Sequence, residues 1–281
     1  MRFRSYASPD RGAVLAATAG GAWHDLGSAD LVDIIADGRQ ADATLLDGAP
    51  ELSTRGLSLL PPVQRPGKIL CVGLNYVDHA AESPYENVPD YPTFFTRFAS
   101  TLIADGDAII RPRASAELDF EGEMAVIIGT GGRHIPADDA LDHVAGYSVF
   151  NDASIRDYQF LTPQWTPGKN FDATGAFGPD FVSADEVPPG GAGLSLEVDL
   201  NGAPMQRANT SDMVFSTAQL IALASVWTTL EPGDVIVSGT PAGVGFARRP
   251  QVYMAAGDVV EVRIEGIGTL RNPVEDEPEA L

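Results

Sequence analysis

The spacing of glycine and proline constrains the fold of this chain more than any other feature of its sequence. The 281 residues include 29 glycines and 21 prolines, which divide much of the chain into short apolar runs. Short runs bounded by turn residues are typical of strands, since most helices need a longer periodic segment. We therefore predict a mostly β (α+β) fold, with strands at Ile69–Gly73, Asp107–Arg111, Met124–Ile128, Val144–Phe150, Leu194–Leu200, Val235–Ser238 and Val259–Ile264.

A proline-rich segment indicates where the chain divides. Pro61–Gly67 reads PPVQRPG, and its three prolines fix the backbone φ angle and remove amide donors, so neither a helix nor a central strand can pass through it. The residues before it contain β-like runs separated by glycine turns. We predict a small N-terminal β-rich domain over residues 1–65 and a larger domain over residues 66–281.

Two helices interrupt the β pattern. Ser216 and Gln219 have the spacing of a capping box, in which each side chain bonds the backbone amide of the other residue. Apolar residues then recur at helical intervals, which predicts a helix over Ala218–Leu230. A shorter helix is predicted over Ala29–Ala36, beginning after Ser28.

The charge balance excludes two classes of protein. The chain carries 18 basic and 39 acidic side chains, for a formal net charge of −21. Phosphate backbones and anionic membrane surfaces repel such a protein, so we predict no nucleic-acid partner and no membrane partner. No run approaches the roughly 18 apolar residues of a membrane span, and the start of the sequence has no apolar signal segment. One cysteine, Cys71, gives no reason to expect an oxidising compartment, and we predict a cytoplasmic protein.

Three carboxylates are candidates for a metal site. Glu121 and Glu123 lie two residues apart before the apolar run Met124–Ile128, and strand geometry places both on one face. Two buried carboxylates repel each other unless a cation or a proton lies between them. Asp152, after the next strand, adds a third oxygen donor, and such a set suits Mg²⁺ or Mn²⁺. The pattern alone equally allows two solvated glutamates and an aspartate that caps a helix.

His79 and Glu82 form a candidate acid–base pair. They lie three residues apart on a predicted helical turn, within reach of each other. A carboxylate bonded to one imidazole nitrogen orients the ring and raises its basicity, as a general base requires. The alternative is an exposed histidine beside an exposed glutamate. The segment that follows, 84–92, is rich in proline, acidic and aromatic residues, and we predict that it is a lid.

Lys169 and a glycine-rich loop complete the set of candidates. Lys169 is one of only two lysines, and it could bind a substrate carboxylate or stabilise an enolate; otherwise it is an ordinary solvated side chain. The loop Gly239–Gly245 follows a predicted strand and offers backbone amides and the Thr240 hydroxyl to an anion. It lacks the Gly-Lys-Ser/Thr ending of a phosphate-binding loop, so the alternative is a simple tight turn.

Taken together and in order, these segments resemble the fumarylacetoacetate hydrolase family. The resemblance covers residues from about 66 to 275, and seven motifs occur in register. They are KILCVGLNYVDHAAES (68–83), YPTFFTRF (91–98), LDFEGEMAVIIG (118–129), AGYSVFNDASIRDYQ (145–159), PGKNFD (167–172), a pattern of Asn-Gly, Gln, Thr and Met over 201–213, and TLEPGDVIVSGTPAGVG (229–245).

The resemblance implies a mixed β-roll or sandwich for the larger domain, and a homodimer. It also implies roles for individual residues, which are Mg²⁺ or Mn²⁺ binding by Glu121, Glu123 and Asp152, water activation by His79 and Glu82, a catalytic role for Lys169, and substrate contacts by Arg156, Gln159 and Thr240.

This combination predicts a hydrolase that acts on a small 2-oxo acid. We expect C–C bond cleavage of a 2,4-dioxo acid of the acylpyruvate type, giving pyruvate and a carboxylic acid through an enolate that the cation and Lys169 stabilise. Decarboxylation of oxaloacetate or a related β-oxo acid, and isomerisation or dehydration of a 2-oxo acid, would use the same site. A non-catalytic metal- or acid-binding protein is a third reading, which the presence of His79, Glu82 and Lys169 disfavours.

Overall fold

The fold is built mainly of strands, as predicted. The computed structural model describes residues 1–82 and 90–279. Each predicted strand is present, with ends shifted by no more than two residues. The strands are β1 Arg2–Ser8, β2 Gly12–Thr18, β3 His24–Asp25, β4 Ser58–Leu60, β5 Ile69–Gly73, β6 Thr93–Thr96, β7 Leu102–Ile103, β8 Ile109–Arg111, β9 Leu118–Asp119, β10 Gly122–Ile128, β11 Val144–Asp152, β12 Ser154–Ile155, β13 Gly175–Ser183, β14 Ser195–Leu200, β15 Ala203–Asn209, β16 Val235–Val237, β17 Val259–Ile264 and β18 Gly268–Asp276.

The helices are few and mostly short: α1 Leu31–Ala36, α2 Val77–Glu82, α3 Arg156–Gln159, α4 Thr166–Lys169 and α5 Thr217–Trp227. The predicted capping box at Ser216 is present and starts α5. Ser28 does not start α1, because Asp30 accepts the amide of Val32 and caps that helix instead. Within the described ranges, no helix is long and apolar enough to cross a membrane.

Two packed sheets organise the chain. The large sheet has the strand order β3-β2-β1-β13-β11-β10-β16-β5-β6, with β4 joined to β1 and β7 joined to β13. The second sheet has the order β15-β14-β17-β18-β8, and β9 pairs with β12 separately. The N-terminal segment contributes to the large sheet, because β1 pairs with β13. The domain boundary at 61–67 stays a prediction.

Strand β10 lies at the centre of the large sheet and is buried on both faces. Met124, Val126 and Ile128 belong to the core that includes the second sheet and α5. Ala125 and Ile127 belong to the core on the opposite face, which includes α1. The side chains of Glu121, Glu123, Ala125 and Ile127 therefore lie on one face of the sheet, and the candidate site lies on that face.

Candidate active site

The structure brings the three predicted metal ligands together. One carboxylate oxygen from each of Glu121, Glu123 and Asp152 lies within 4.8 Å of the others, and all three side chains are buried. Strand pairing explains this cluster. Strands β10 and β11 are antiparallel neighbours, and the Asp152 amide donates to the Glu121 carbonyl at 2.9 Å. Alternation along each strand turns all three side chains to the same face. Asp152 ends β11 and does not cap a helix.

Basic side chains compensate two of the three carboxylates. The Lys169 ammonium lies 2.7 Å from Glu121 Oε2 and 2.7 Å from Asp152 Oδ2. Arg156 Nη1 lies 2.6 Å from Glu121 Oε1, and Arg97 pairs with the other oxygen of Asp152. Glu123 instead accepts the backbone amide of Gly239. Within the described part of the chain, Glu123 forms no ion pair.

Because the two glutamates are compensated unequally, their pKa values shift in opposite directions. Burial and the neighbouring charges of Asp152 and Glu121 raise the pKa of Glu123 well above its usual range. Burial acts in the same direction on Glu121, but the charges of Lys169 and Arg156 outweigh it and lower the pKa of Glu121 to about 2. The cluster thus lacks positive charge at Glu123. Its oxygen donors and its excess negative charge fit a hard divalent cation held by Glu121, Glu123 and Asp152.

Lys169 lies at the C-terminal end of α4. Burial lowers the pKa of its ammonium, but the charges of Asp152 and Glu121 outweigh burial and raise the pKa above its usual value. The two ion pairs therefore favour the charged form of Lys169. Its ammonium also lies 5.0 Å from the centre of the Phe95 ring.

His79 and Glu82 form the predicted pair on α2. The Nδ1 atom of His79 lies 3.0 Å from Glu82 Oε1, and the side chain of His79 is only 9% exposed. Both carboxylate oxygens of Glu82 accept the Gly243 amide at 3.0 Å. Because Nδ1 is engaged, the nitrogen that can exchange a proton with a substrate is Nε2.

These groups meet around one cavity. Seven of the nine predicted site residues line it; Glu82 and Asp152 lie behind this lining and contact its members. The rest of the wall is largely apolar. Phe95 and Trp165 stack edge to face at 5.4 Å, and Phe246 lies 4.6 Å beneath the Arg156 guanidinium. The lid predicted over 84–92 falls largely on residues 83–89, outside the described residues.

Sequence reasoning missed two buried members of the site, Asp119 and Arg97. Asp119 accepts Arg156 Nε at 2.8 Å and the amides of Gly245 and Phe246 at 2.7 and 2.9 Å, so it fixes the guanidinium. The alternation of Asp119, Glu121 and Glu123 along the chain was a signal that could have found it. Arg97 lies in an aromatic segment that is distant in sequence from Asp152, and no local pattern marks that contact.

A buried cluster of carboxylates that can hold a metal ion, on a β-rich α+β fold, defines the class of protein. The family model described as Fumarylacetoacetate (FAA) hydrolase C-terminal matches residues 68–275. The chain belongs to the fumarylacetoacetate hydrolase family.

Particular relatives extend this assignment. The chain is 45% identical over 226 residues to the mitochondrial oxaloacetate tautomerase fahd2 of Xenopus laevis, which covers 79% of this chain and 70% of that protein. A solved fumarylacetoacetate hydrolase from Exiguobacterium antarcticum is similar, with a TM-score of 0.87, 36% identity and coverage of 99% of this chain and 100% of that one. A 2-hydroxyhepta-2,4-diene-1,7-dioate isomerase from Mycobacterium marinum has a TM-score of 0.77, 31% identity and the same coverage.

Proposed function

We propose that this protein catalyses divalent-metal-dependent proton transfer at C3 of a small 2-oxo acid, with the keto–enol tautomerisation of oxaloacetate as its reaction. The observation that carries the proposal is the position of the His79–Glu82 pair on the same cavity as Lys169 and the carboxylate cluster. A proton-transfer group thus faces the positive charge that an enolate needs. The name of the 45% identical relative supports the choice of oxaloacetate.

The bound cation and the basic side chains of the site have separate roles toward the substrate. Mg²⁺ or Mn²⁺, when bound, would supply Lewis-acid stabilisation of negative charge on the substrate. The Lys169 ammonium, fixed between Glu121 and Asp152, stabilises the developing oxyanion without moving. The Nη2 atom of Arg156 is buried with no partner in the described residues, and Arg156 lines the cavity. That donor is suited to a substrate carboxylate.

His79 carries the proton. In the direction from enol to keto, Nε2 of neutral His79 accepts the proton of the enol hydroxyl, and the imidazolium so formed delivers a proton to C3 and becomes neutral again; the reverse direction moves the proton from C3 back to the oxygen by the same route. Glu82 orients the ring and stabilises its positive charge through Nδ1. The aromatic side chains of Phe95, Trp165 and Phe246 line the same cavity as His79.

Acylpyruvate hydrolysis is the second candidate, and one feature favours it. A more open surface pocket adjoins the first and shares Arg156, Phe160 and Phe246 with it. That space can accept an acyl group longer than any part of oxaloacetate. In this reaction His79, oriented by Glu82, would deprotonate a water molecule. Release of pyruvate and a free carboxylic acid from acylpyruvates separates hydrolysis from tautomerisation, and release of pyruvate from oxaloacetate reveals decarboxylation.

Replacing His79 by glutamine tests the proton-transfer role. We expect His79→Gln to lower the rate of tautomerisation by about 10²–10⁴-fold, the usual contribution of a positioned acid–base group. Affinity for Mn²⁺ should stay within about threefold, because His79 is not one of the predicted metal ligands. The decay of enol absorbance and calorimetric titration with Mn²⁺ measure the two quantities. A His79→Gln protein that retains the wild-type rate would remove His79 from the mechanism.

A further inference from the structure

One loop supplies backbone amides to three carboxylates of the site. The amide of Gly239 donates to Glu123, the amide of Gly243 donates to Glu82 at 3.0 Å, and the amide of Gly245 donates to Asp119 at 2.7 Å. These acceptors belong respectively to the metal cluster, to the His79 pair and to the Arg156 ion pair. The position of residues 239–245 therefore affects all three parts of the site at once.

The buried side chain of Gln206, on β15, ties this loop to the metal-binding strand. Its Nε2 donates to Thr240 Oγ1 at 2.9 Å and to the Pro241 carbonyl at 2.7 Å, while its Oε1 accepts the Gly122 amide at 3.0 Å. Thr240 Oγ1 closes a ring by donating to the Gly122 carbonyl at 3.0 Å. Gln206 is fully buried. Its side-chain oxygen accepts one hydrogen bond and its side-chain nitrogen donates two.

The strand topology explains why Gly122 is bonded by side chains. Strand β16 pairs with β10 along Ala125–Ile127 and does not extend to Gly122. Both backbone polar groups of Gly122, which lies between Glu121 and Glu123, are instead satisfied by Thr240 and Gln206. Gln206 thus continues the hydrogen bonding of the sheet where its neighbouring strand has ended.

The loop also packs closely on β15. Gly243 has a φ of +102°, and a Cβ atom there would lie 2.4 Å from the Met205 carbonyl oxygen. Arg248 donates to that same oxygen and to the Gly243 carbonyl, so it does not reach into the cavity as a substrate ligand. Strand β15 therefore acts as the base on which the loop rests.

We propose that Gln206 is a positioning residue, which holds residues 239–245 so that their amides fix Glu123 and Glu82. It contacts neither the predicted metal ligands nor a substrate through its side chain, and it acts through Gly122, Thr240 and Pro241. The inference rests on the proposed function for its effect on turnover. Its effect on metal affinity is independent of the substrate.

The test replaces Gln206 by methionine, which preserves length and volume but removes the amide. We expect Gln206→Met to weaken Mn²⁺ binding by about 10–100-fold in calorimetry and to lower kcat by a similar factor, the usual cost of losing a group that orients ligands. KM should change by less than about threefold. Gln206→Glu keeps the acceptor for the Gly122 amide but loses both donors to the loop, so we expect the same losses of Mn²⁺ affinity and kcat. This second variant tests the proposal if Gln206→Met does not fold.

Arg207→Met is the matched control. Arg207 is the next residue on β15, is exposed, and bonds Asp199 and nearby carbonyls outside the site. We expect it to leave Mn²⁺ affinity and kcat within about twofold of wild type. Equal Mn²⁺ affinities in Gln206→Met, Gln206→Glu and Arg207→Met would overturn the proposal. A wild-type protein that binds Mn²⁺ but is inert toward oxaloacetate would instead count against the proposed function alone.

A double-mutant cycle tests the route through the loop. If Gln206 acts on Glu82 through Gly243, the effect of Gln206→Met on kcat should shrink at least about threefold in a Glu82→Gln background. Independent, additive effects on kcat would contradict that route and leave only the effect on Glu123, which the Mn²⁺ titration measures.

Discussion

Replacing Glu123 by glutamine should greatly weaken divalent-metal binding and turnover while making the metal-free protein more stable. The substitution removes a charged oxygen from the cluster, so we expect Mn²⁺ affinity to fall by at least about 100-fold and turnover by at least about 10³-fold. Without metal, burial and the neighbouring charges of Asp152 and Glu121 raise the pKa of Glu123. A neutral amide relieves that repulsion, and we expect a gain of about 1–3 kcal/mol in the free energy of unfolding in EDTA.

The opposite signs of these two effects distinguish a metal site from a structural cluster. Denaturant unfolding in EDTA and in excess Mn²⁺ measures stability, and calorimetry measures binding. Wild type should gain stability on adding Mn²⁺, whereas Glu123→Gln should gain little. A Glu123→Gln protein that binds Mn²⁺ as wild type does, or that is less stable in EDTA, would show that the cluster is not built for a cation.

Replacing Lys169 by methionine should have the second largest effect. Lys169 is the shared partner of Glu121 and Asp152, and its removal leaves both buried carboxylates short of positive charge. We expect a loss of about 3–5 kcal/mol of stability in EDTA, as for breaking other buried ion pairs. We also expect turnover to fall by about 10²–10³-fold, because the enolate loses a fixed positive charge. Chemical denaturation and the tautomerase assay measure these effects.

Lys68, the other lysine of the chain, provides the control. It pairs with Glu231 at 2.8 Å and with Asp234 at 2.9 Å, but it is a quarter exposed and lies outside the cavity lining. Lys68→Met should cost about 1 kcal/mol and leave turnover unchanged. If Lys169→Met and Lys68→Met had equal effects on stability and activity, Lys169 would contribute no more to the site than a lysine outside it.

Local patterns identified the candidate residues at the centre of the site, and the family resemblance chose among the alternatives that those patterns left open. Alternation along a strand placed Glu121 and Glu123 on one face, and helical spacing paired His79 with Glu82. Asp152 joined them because β11 follows β10 as its antiparallel neighbour. Short apolar runs bounded by turn residues predicted the β-rich fold. These patterns are local, because the residues that form each one lie within a few positions of the strand or helical turn that they predict.

Contacts between distant segments could not be predicted in this way. Arg97 reaches Asp152 across 55 residues, and Gln206 reaches Gly122 across 84 residues. Neither residue has a neighbour in sequence that reveals its partner, because the partner is set by strand order in the folded sheet. The predicted start of α1 was wrong because two nearby polar residues, Ser28 and Asp30, are both able to cap a helix. Only the folded structure decides between them.

The most direct test of the central claim is the rate at which enol oxaloacetate converts to the keto form, with Mg²⁺, with Mn²⁺ and with EDTA. Pyruvate release is followed in the same samples. We expect metal-dependent loss of enol absorbance above the spontaneous rate, abolished by EDTA and by His79→Gln, with little pyruvate formed. Conversion no faster than the spontaneous rate, in a protein that binds Mn²⁺ and releases pyruvate from acylpyruvates, would contradict tautomerisation and establish the hydrolase.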